Sequence, residues 1–384
     1  MTDPAIPGAG TMNVDPTSIR LGGSLTRQFV VTAVAILLGL LAGAILIIIS
    51  GLIGPSHTLD LTLPFTAYGA MLEGALGSPR AIANTLNAAT PLIFTGLSVA
   101  IGFKAGLFNI GANGQLLIGG FCAAIVGTIA GIPFPIAMLL ALAAGALGGA
   151  GWGFIPGALK AWRGAHEVVT TIMLNSIAYL LLNLIASTIF KDPNATFPRT
   201  PDITPEAALP IIWADTRLTL GIVIALLTAV FIWFLLYKTT LGFEIRTVGS
   251  NPSAARYAGI RPAFIVILTM SIAGGLAGLG GSVEILGITK NYPAEYIVTY
   301  GFDGIAVALL GRAHPFGVVG AALLFGIMRA GAGAMQRATE IPVDIIGIVQ
   351  GMILLFVAAQ VVIDHALPRW RTRRRPAQPA AAAA

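Results

Sequence analysis

Three clusters of polar side chains interrupt an otherwise apolar chain, and each suggests a chemistry. The first lies in 106–120, GLFNIGANGQLLIGG, where Asn109 and Asn113 stand four residues apart, with Gln115 just beyond and Phe108 alongside. Residues at that spacing share a face if the backbone is helical. Gly106, Gly111, Gly114, Gly119 and Gly120 disfavour a straight helix. Broken, glycine-rich backbone is tolerated at membrane depth where it lines a cavity or is buried in protein. Uncharged amides there suit a neutral, hydrogen-bonding solute. The same amides could instead tie neighbouring helices together, and the local sequence leaves both roles open.

The second cluster is 165–181, AHEVVTTIMLNSIAYLL. Glu167 precedes an apolar run, where a helix N-terminus favours negative charge. Thr170 and Thr171 follow one turn in, and Asn175 is four residues past Thr171. Small hydroxyls at the cytoplasmic end of a span could narrow a pathway as a gate. The plainer alternative is that they satisfy their own backbone while Asn175 packs between helices. The third cluster, 280–311, carries Glu284 and Asp303 near the ends of two apolar segments, with Tyr292, Tyr296, Tyr300 and Phe302 around them. Carboxylates close to a bilayer are costly and often functional. Beside aromatic rings they could hydrogen-bond and stack a sugar or a base. An interfacial aromatic belt with solvated carboxylates would give the same pattern.

Other chemistries find no support. There is no GxxxxGK[ST] phosphate loop, so this chain does not hydrolyse ATP by that route. HExxH and paired-cysteine metal spacings are lacking, and no Ser/His/Asp set stands out. His57, His166, His314 and His365 are far apart in sequence, and the lone Cys122 allows no internal disulfide. The expectation is a non-catalytic chain with no metal and no cofactor of its own.

The elements that must position these clusters are membrane helices. Of the 384 residues 56% are hydrophobic and 10% charged, and mean hydropathy is +0.87; soluble domains run at about one-quarter charged. Forty-seven glycines suit close approach of helices in a bilayer. The net charge of +6 is scattered or tail-bound, which reads as membrane orientation and not as affinity for nucleic acid. At about twenty apolar residues per span, ten spans are predicted: 29–53, 85–103, 115–132, 135–159, 169–189, 218–236, 263–285, 302–310 with its flanks, 316–328 and 345–363. A weakly amphipathic piece falls at 64–76. The fold class is therefore all-α, a polytopic membrane helix bundle. A polar segment over 1–28 precedes a transmembrane domain over 29–363, and a basic, low-complexity tail over 364–384 follows. No cleavable signal is evident, because the first apolar run is too long for a signal core.

Placing both termini in the cytoplasm puts fifteen of the 22 Lys and Arg residues on that side, including Lys104, Lys160, Arg163, Arg312 and the five tail arginines. Arg329 then counts among the seven outside, just past the ninth span. On this orientation the proline-rich segment 190–217 is external. The polar island 238–261, KTTLGFEIRTVGSNPSAARYAGIR, is cytoplasmic. It contains a miniature helix with both ends marked: Asn251 as N-cap, Pro252 in the first turn and Gly259 as left-handed exit. So short a helix is marginal in water by itself. It makes sense docked in a groove of another protein, although an ordinary loop would share these features.

Taken in order, GLFNIGANGQ, EVVTTIMLN, GFEIRTVGSNPSAARYAGI and GFDGIAVALLGRAHPFG resemble the membrane permease subunits of bacterial ABC importers in the ribose/branched-chain amino acid permease superfamily. The closer likeness is to the nucleoside (simple sugar) branch, and it covers about 85–363. The resemblance implies an inner-membrane import permease working by alternating access. It also implies an ABC ATPase partner that binds ATP and magnesium, a second permease chain and an extracytoplasmic binding lipoprotein. Its coupling helix maps onto Gly242, Glu244, Arg246, Gly249, Asn251, Ala254, Ala255 and Gly259. Nucleosides are the implied cargo, with simple sugars such as ribose second. Uncharged Asn109, Asn113, Gln115 and Asn175 fit either, and no intramembrane cluster of Arg or Lys favours an anion. A secondary transporter driven by an ion gradient is the main rival. It would want ionisable groups deep in the spans, where Glu284 and Asp303 are expected to be peripheral. A purely structural membrane subunit is the other.

Overall fold

A computed structural model describes residues 25–53 and 60–373. Most of the polar segment expected over 1–28, and the tail beyond Arg373, lie outside the described residues. Thirteen α-helices are described: α1 (Leu25–Ile53), α2 (Leu63–Leu76), α3 (Pro79–Lys104), α4 (Ala112–Gly127), α5 (Ile136–Arg163), α6 (Glu167–Ser187) and α7 (Gly221–Lys238). They continue with α8 (Thr240–Ser250), α9 (Pro252–Tyr257), α10 (Pro262–Glu284), α11 (Tyr300–Leu310), α12 (Pro315–Thr339) and α13 (Asp344–Arg373). A π turn, Ile285–Thr289, extends α10.

Each of the ten expected spans corresponds to one helix, and the piece at 64–76 is α2. Seven helices are long and apolar enough to cross a membrane; α4, α11 and the Asp344–Val357 part of α13 are apolar but shorter. Helix α3 begins on the Ser78 cap, whose Oγ accepts from the Ala81 N–H at 3.1 Å.

Three differences from the sequence reading bear on the site. Helix α12 does not stop at Met328 but runs to Thr339, which places Arg329 inside it. Helix α13 continues past Ile363 through the first tail arginines to Arg373. The first part of the polar island forms the eleven-residue helix α8. Its Thr239 cap accepts from the Gly242 N–H at 3.1 Å, and Ile245 and Val248 turn inward.

The helices run between two ends of the bundle. At one end Lys104, Gly106, Tyr237, His314 and α8 gather. At the other the segment 190–217 lies over the ends of α3, α4 and α10. Thr204 donates to Gly127 O at 2.8 Å, Leu209 to Leu286 O at 3.0 Å, and Asn87 Nδ2 to Arg217 O at 2.7 Å. Five prolines keep this segment irregular, with isolated bridges Arg199–Pro293 and Ile211–Thr219.

Traced between these ends, the series α3, α4, α5, α6 repeats as α10, α11, α12, α13 with every direction reversed. Such inverted repeats are a recurrent way of building transporters. The two short members match in place, and each opens on a pair of glycines three apart: GANG (111–114) at α4 and GFDG (301–304) at α11. At 1.5 Å per residue α4 is about 24 Å long and α11 about 17 Å, both short of the ~30 Å hydrocarbon core. The halves are joined by small residues. A Cβ on Gly149 of α5 would collide with the Gly274 carbonyl of α10, and one on Gly119 of α4 with Gly278. Van der Waals contact of this kind drives association where lipid supplies no hydrophobic force.

Candidate translocation site and coupling surface

Between α3 and α4 the chain breaks at 105–111 and then restarts as a helix deep in the bundle. Breaking a helix at that depth strands backbone donors and acceptors, which must be satisfied by protein. Asn175 does this at the break and Asn113 at the head of α11, while Asn109 and Gln115 bond side chain to side chain. Asn109, fully buried, donates from Nδ2 to Gln115 Oε1 at 2.8 Å and to Ser98 Oγ at 3.2 Å. Gln115 Nε2 returns a bond to Asn109 Oδ1 at 3.2 Å. Asn175 reaches over from α6: its Oδ1 accepts from the Gly114 N–H at 2.8 Å and its Nδ2 donates to Ile110 O at 2.9 Å. Asn113 Oδ1 accepts from the Gly301 N–H at 3.2 Å, at the start of α11. Both half-helices therefore present N-termini to one another inside the bundle, a concentration of positive dipole ends. Phe108 stands apart, half-buried at the end of α3 with its ring 5.2 Å from Phe103.

Along α6, Glu167, Thr171, Asn175, Ala178, Leu182 and Ala186 form one buried stripe. The Thr171 hydroxyl donates to Glu167 O at 2.7 Å and the Thr170 hydroxyl to the same carbonyl at 3.1 Å. Thr171 is fully buried, against Gly111 at the helix break, while Thr170 is half-exposed. Lys160 Nζ holds Glu167 at 2.6 Å across the α5–α6 turn.

The third cluster is not confined to the bundle surface. Asp303 lies in the first turn of α11, accepts from the Thr299 hydroxyl at 2.9 Å, and pairs with Arg329 at 3.2 Å. The Arg329 guanidinium sits 4.2 Å from the centre of the Tyr300 ring. Tyr300 is also the hydrogen-bond partner of Glu284. Tyr292 and Tyr296 are stacked edge-on at 5.3 Å, and Phe121 meets Tyr292 at the same distance. Arg329 is the functional candidate that sequence reading passed over. Ending the ninth span at Met328 put it outside, whereas within α12 its charge is answered by Asp303 and by the face of Tyr300.

The eight residues expected to couple to an ATPase do not share one surface. Asn251 caps α9 as expected, accepting from Ser253 and Ala254 N–H at 3.0 Å each, and Gly259 exits at φ +81°. Asn251, Ala254 and Gly259 face outward. Gly242 and Ala255 are buried, while Glu244, Arg246 and Gly249 are half-buried. The outward face is completed by Arg256 and by Tyr257, 95% exposed, which the sequence reading did not single out. An unsupported aromatic at the end of a six-residue helix is the available signal.

A cavity of about 410 Å³ opens between α1, the end of α11 and α12, lined by Thr32, Ile36, Arg312, Phe316 and Leu324 among others. It includes none of the amide cluster. Among the described residues no three His, Cys, Asp or Glu side chains gather in a way that could hold a metal ion.

A broken-helix inverted repeat with a polar knot at the breaks and a capped helix at one end defines a membrane transport subunit. The family model described as branched-chain amino acid transport system / permease component matches residues 81–358, and this chain belongs to that family. The guanosine ABC transporter permease protein NupP of Bacillus subtilis is 42% identical over 356 residues, covering 90% of this chain and 97% of that protein. The nucleoside ABC transporter permease protein NupB of Lactococcus lactis is 38% identical, covering 90% and 94%. The glucose ABC transporter permease protein TsgB13 of Haloferax volcanii is 32% identical, covering 77% and 80%. No solved structure matches the chain.

Proposed function

We infer that this chain is a membrane permease subunit of an ATP-driven importer, in the plasma membrane of a bacterium, and that its cargo is a nucleoside. The observation that carries the reading is near full-length similarity to NupP and NupB, whose names state guanosine and nucleoside transport. The chain contributes the path and no chemistry. ATP and magnesium belong to a separate ATPase, a binding lipoprotein presents the solute, and a second, related permease chain completes the path.

The end carrying α8 and α9 is cytoplasmic on this reading, with both termini on that side. The path runs past the meeting point of α4 and α11, flanked by α6 on one side and α13 on the other. Asn113, Asp303 and Glu284 lie along it with Arg329. Asn109, Gln115 and Asn175 hold the break that shapes it, and Thr170 and Thr171 mark its cytoplasmic constriction. Docking of the ATPase on α9 and movement of α8 switch the path between its two openings. Amides together with a carboxylate-rich aromatic cluster suit the hydroxyls and ring of a neutral nucleoside. The glucose permease similarity, at 32%, keeps simple sugars as the second reading.

The test is uptake of labelled guanosine into proteoliposomes holding this chain with its ATPase, second permease and binding lipoprotein. ATP-dependent uptake should be displaced by unlabelled nucleosides and little affected by ribose or glucose. Displacement by sugars alone would move the cargo to the second reading. Uptake that ignored ATP and collapsed with an ion gradient would overturn the importer reading altogether.

A further inference from the structure

We propose that Tyr237 and His314 are positioning residues that relay the displacement of α8 to α11, while Gly249 passes the same displacement directly to the α3–α4 break. The inference rests on the ATP-driven reading above. It adds how a push on one short helix reaches both half-helices.

Two of the contacts that helix α8 makes with the body lead toward the half-helices. At its C-terminal end, Gly249 lies against the backbone of the α3–α4 loop. A Cβ there would collide with the Lys104 carbonyl oxygen and stand 2.8 Å from the Ala105 carbonyl carbon and 2.9 Å from Gly106 N. Gly106 answers in kind: its φ is +70°, and a Cβ on it would stand 3.2 Å from Gly249 O. Backbone thus meets backbone with no side chain between, and packed interiors transmit strain through such contacts. Gly106 leads straight into 107–111, the stretch that Asn109 and Asn175 hold.

In the middle of α8, Arg246 starts a stack of rings. Its guanidinium lies 5.3 Å from the centre of Tyr237 on α7. Tyr237 is 5.5 Å from His314 with the rings 32° apart, and His314 is 5.7 Å from Phe316. Trp233 closes the stack 5.8 Å from Phe316. Burial, and then the nearby charge of Lys104, lowers the pKa of the His314 imidazole from its ordinary value. His314 belongs to the turn that ends α11, where Arg312 and Ala313 take left-handed backbone, φ +54° and +50°. Non-glycine residues hold that conformation only where surroundings enforce it. The other end of α11 is Gly301, bonded to Asn113. One cytoplasmic helix therefore touches the loop before α4 directly and reaches the turn after α11 through Tyr237 of α7. Those two half-helices meet at the centre of the bundle.

The experiment measures nucleoside moved per ATP hydrolysed by the intact importer in proteoliposomes. His314→Ala and Tyr237→Leu should each lower that ratio by about fivefold, with ATP hydrolysis and ATPase co-purification kept. His314→Phe and Tyr237→Phe, which keep the rings, should restore it. A wild-type ratio in both ring-less variants, or failure of the Phe variants to restore it, would overturn the relay. Should the ring-less variants fail to assemble, Arg246→Met, which keeps both rings but removes the cation that heads the stack, should lower the ratio severalfold with ATPase co-purification kept, and a wild-type ratio there would overturn the relay. A wild-type complex that moves no nucleoside on ATP would instead overturn the importer reading, and this inference with it.

Discussion

Asn113 at the head of α4 accepts, through Oδ1, the backbone N–H of Gly301 at the head of α11, at 3.2 Å and across 188 positions of sequence. One amide thereby caps the half-helix of the other repeat. Gly301 is glycine because the contact leaves no room: a Cβ there would collide with the Asn113 backbone. Asn113→Leu removes the acceptor and strands a buried donor, at a cost of about 1–3 kcal/mol. Asn113→Asp keeps an acceptor in the same place. Uptake and melting temperature in detergent should fall with Leu and recover in part with Asp, while ATPase co-purification stays unchanged in both. Equal behaviour of Leu and wild type would remove Asn113 from the working parts.

The outward face of α9 gives a prediction at the other end of the molecule. Tyr257 is 95% exposed, and a tyrosine so presented is a typical anchor for a partner pocket. Tyr257→Ala should weaken association with the ATPase subunit by ~2 kcal/mol, about thirtyfold. Ala255→Trp should act differently: Ala255 is buried, so the bulk would disturb the seating of α9 on the body. Titration of the purified ATPase onto permease in nanodiscs separates the two, and unchanged affinity in Tyr257→Ala would place the docking surface elsewhere.

How much of this was legible beforehand differs between elements for physical reasons. Ten helices could be read because apolar runs near twenty residues have few other fates in a bilayer. The α9 cap, Asn251, Pro252 and Gly259, could be read because capping is local chemistry. Helix α8 was missed because its inward face is only Gly242, Ile245 and Val248, with Gly249 behind them, too few apolar positions in a polar stretch. Arg329 was put outside because a lone charge ends a hydropathy run, and the Asp303 that answers it is 26 positions away. The inverted repeat was hidden because GANG and GFDG share only two glycines, while the symmetry resides in helix direction, which no local pattern encodes.

The glycine seam between α5 and α10 offers a comparison within one helix. Gly149 faces Gly274 and Gly278 across the seam, whereas nothing lies within 4 Å of a Cβ placed on Gly151. Gly149→Val should destabilise the bundle by about 1–3 kcal/mol through overpacking, and Gly151→Val should leave it nearly unchanged. Thermal unfolding followed by tryptophan fluorescence reads the difference. Equal midpoints for the two variants would mean that α5 and α10 are not held at this distance.

The Asp303–Arg329 pair is the most exacting test of the charged cluster. With 27% and 37% of their side chains exposed, the two are shielded from water only in part. Removing one partner still leaves a charge where solvent and lipid serve it poorly. Arg329→Leu should therefore lower stability by about 1–3 kcal/mol, and Arg329→Lys should lower it less, since Lys keeps the charge but not the flat guanidinium over Tyr300. Adding Asp303→Asn to Arg329→Leu removes the orphaned carboxylate and should return part of the loss, with a coupling energy of about 0.5–3 kcal/mol between the sites. Transport separates a structural pair from a pathway pair. If the double variant regains stability but not nucleoside uptake, the charges act on the solute. If both return together, the pair serves only to seat α11 against α12.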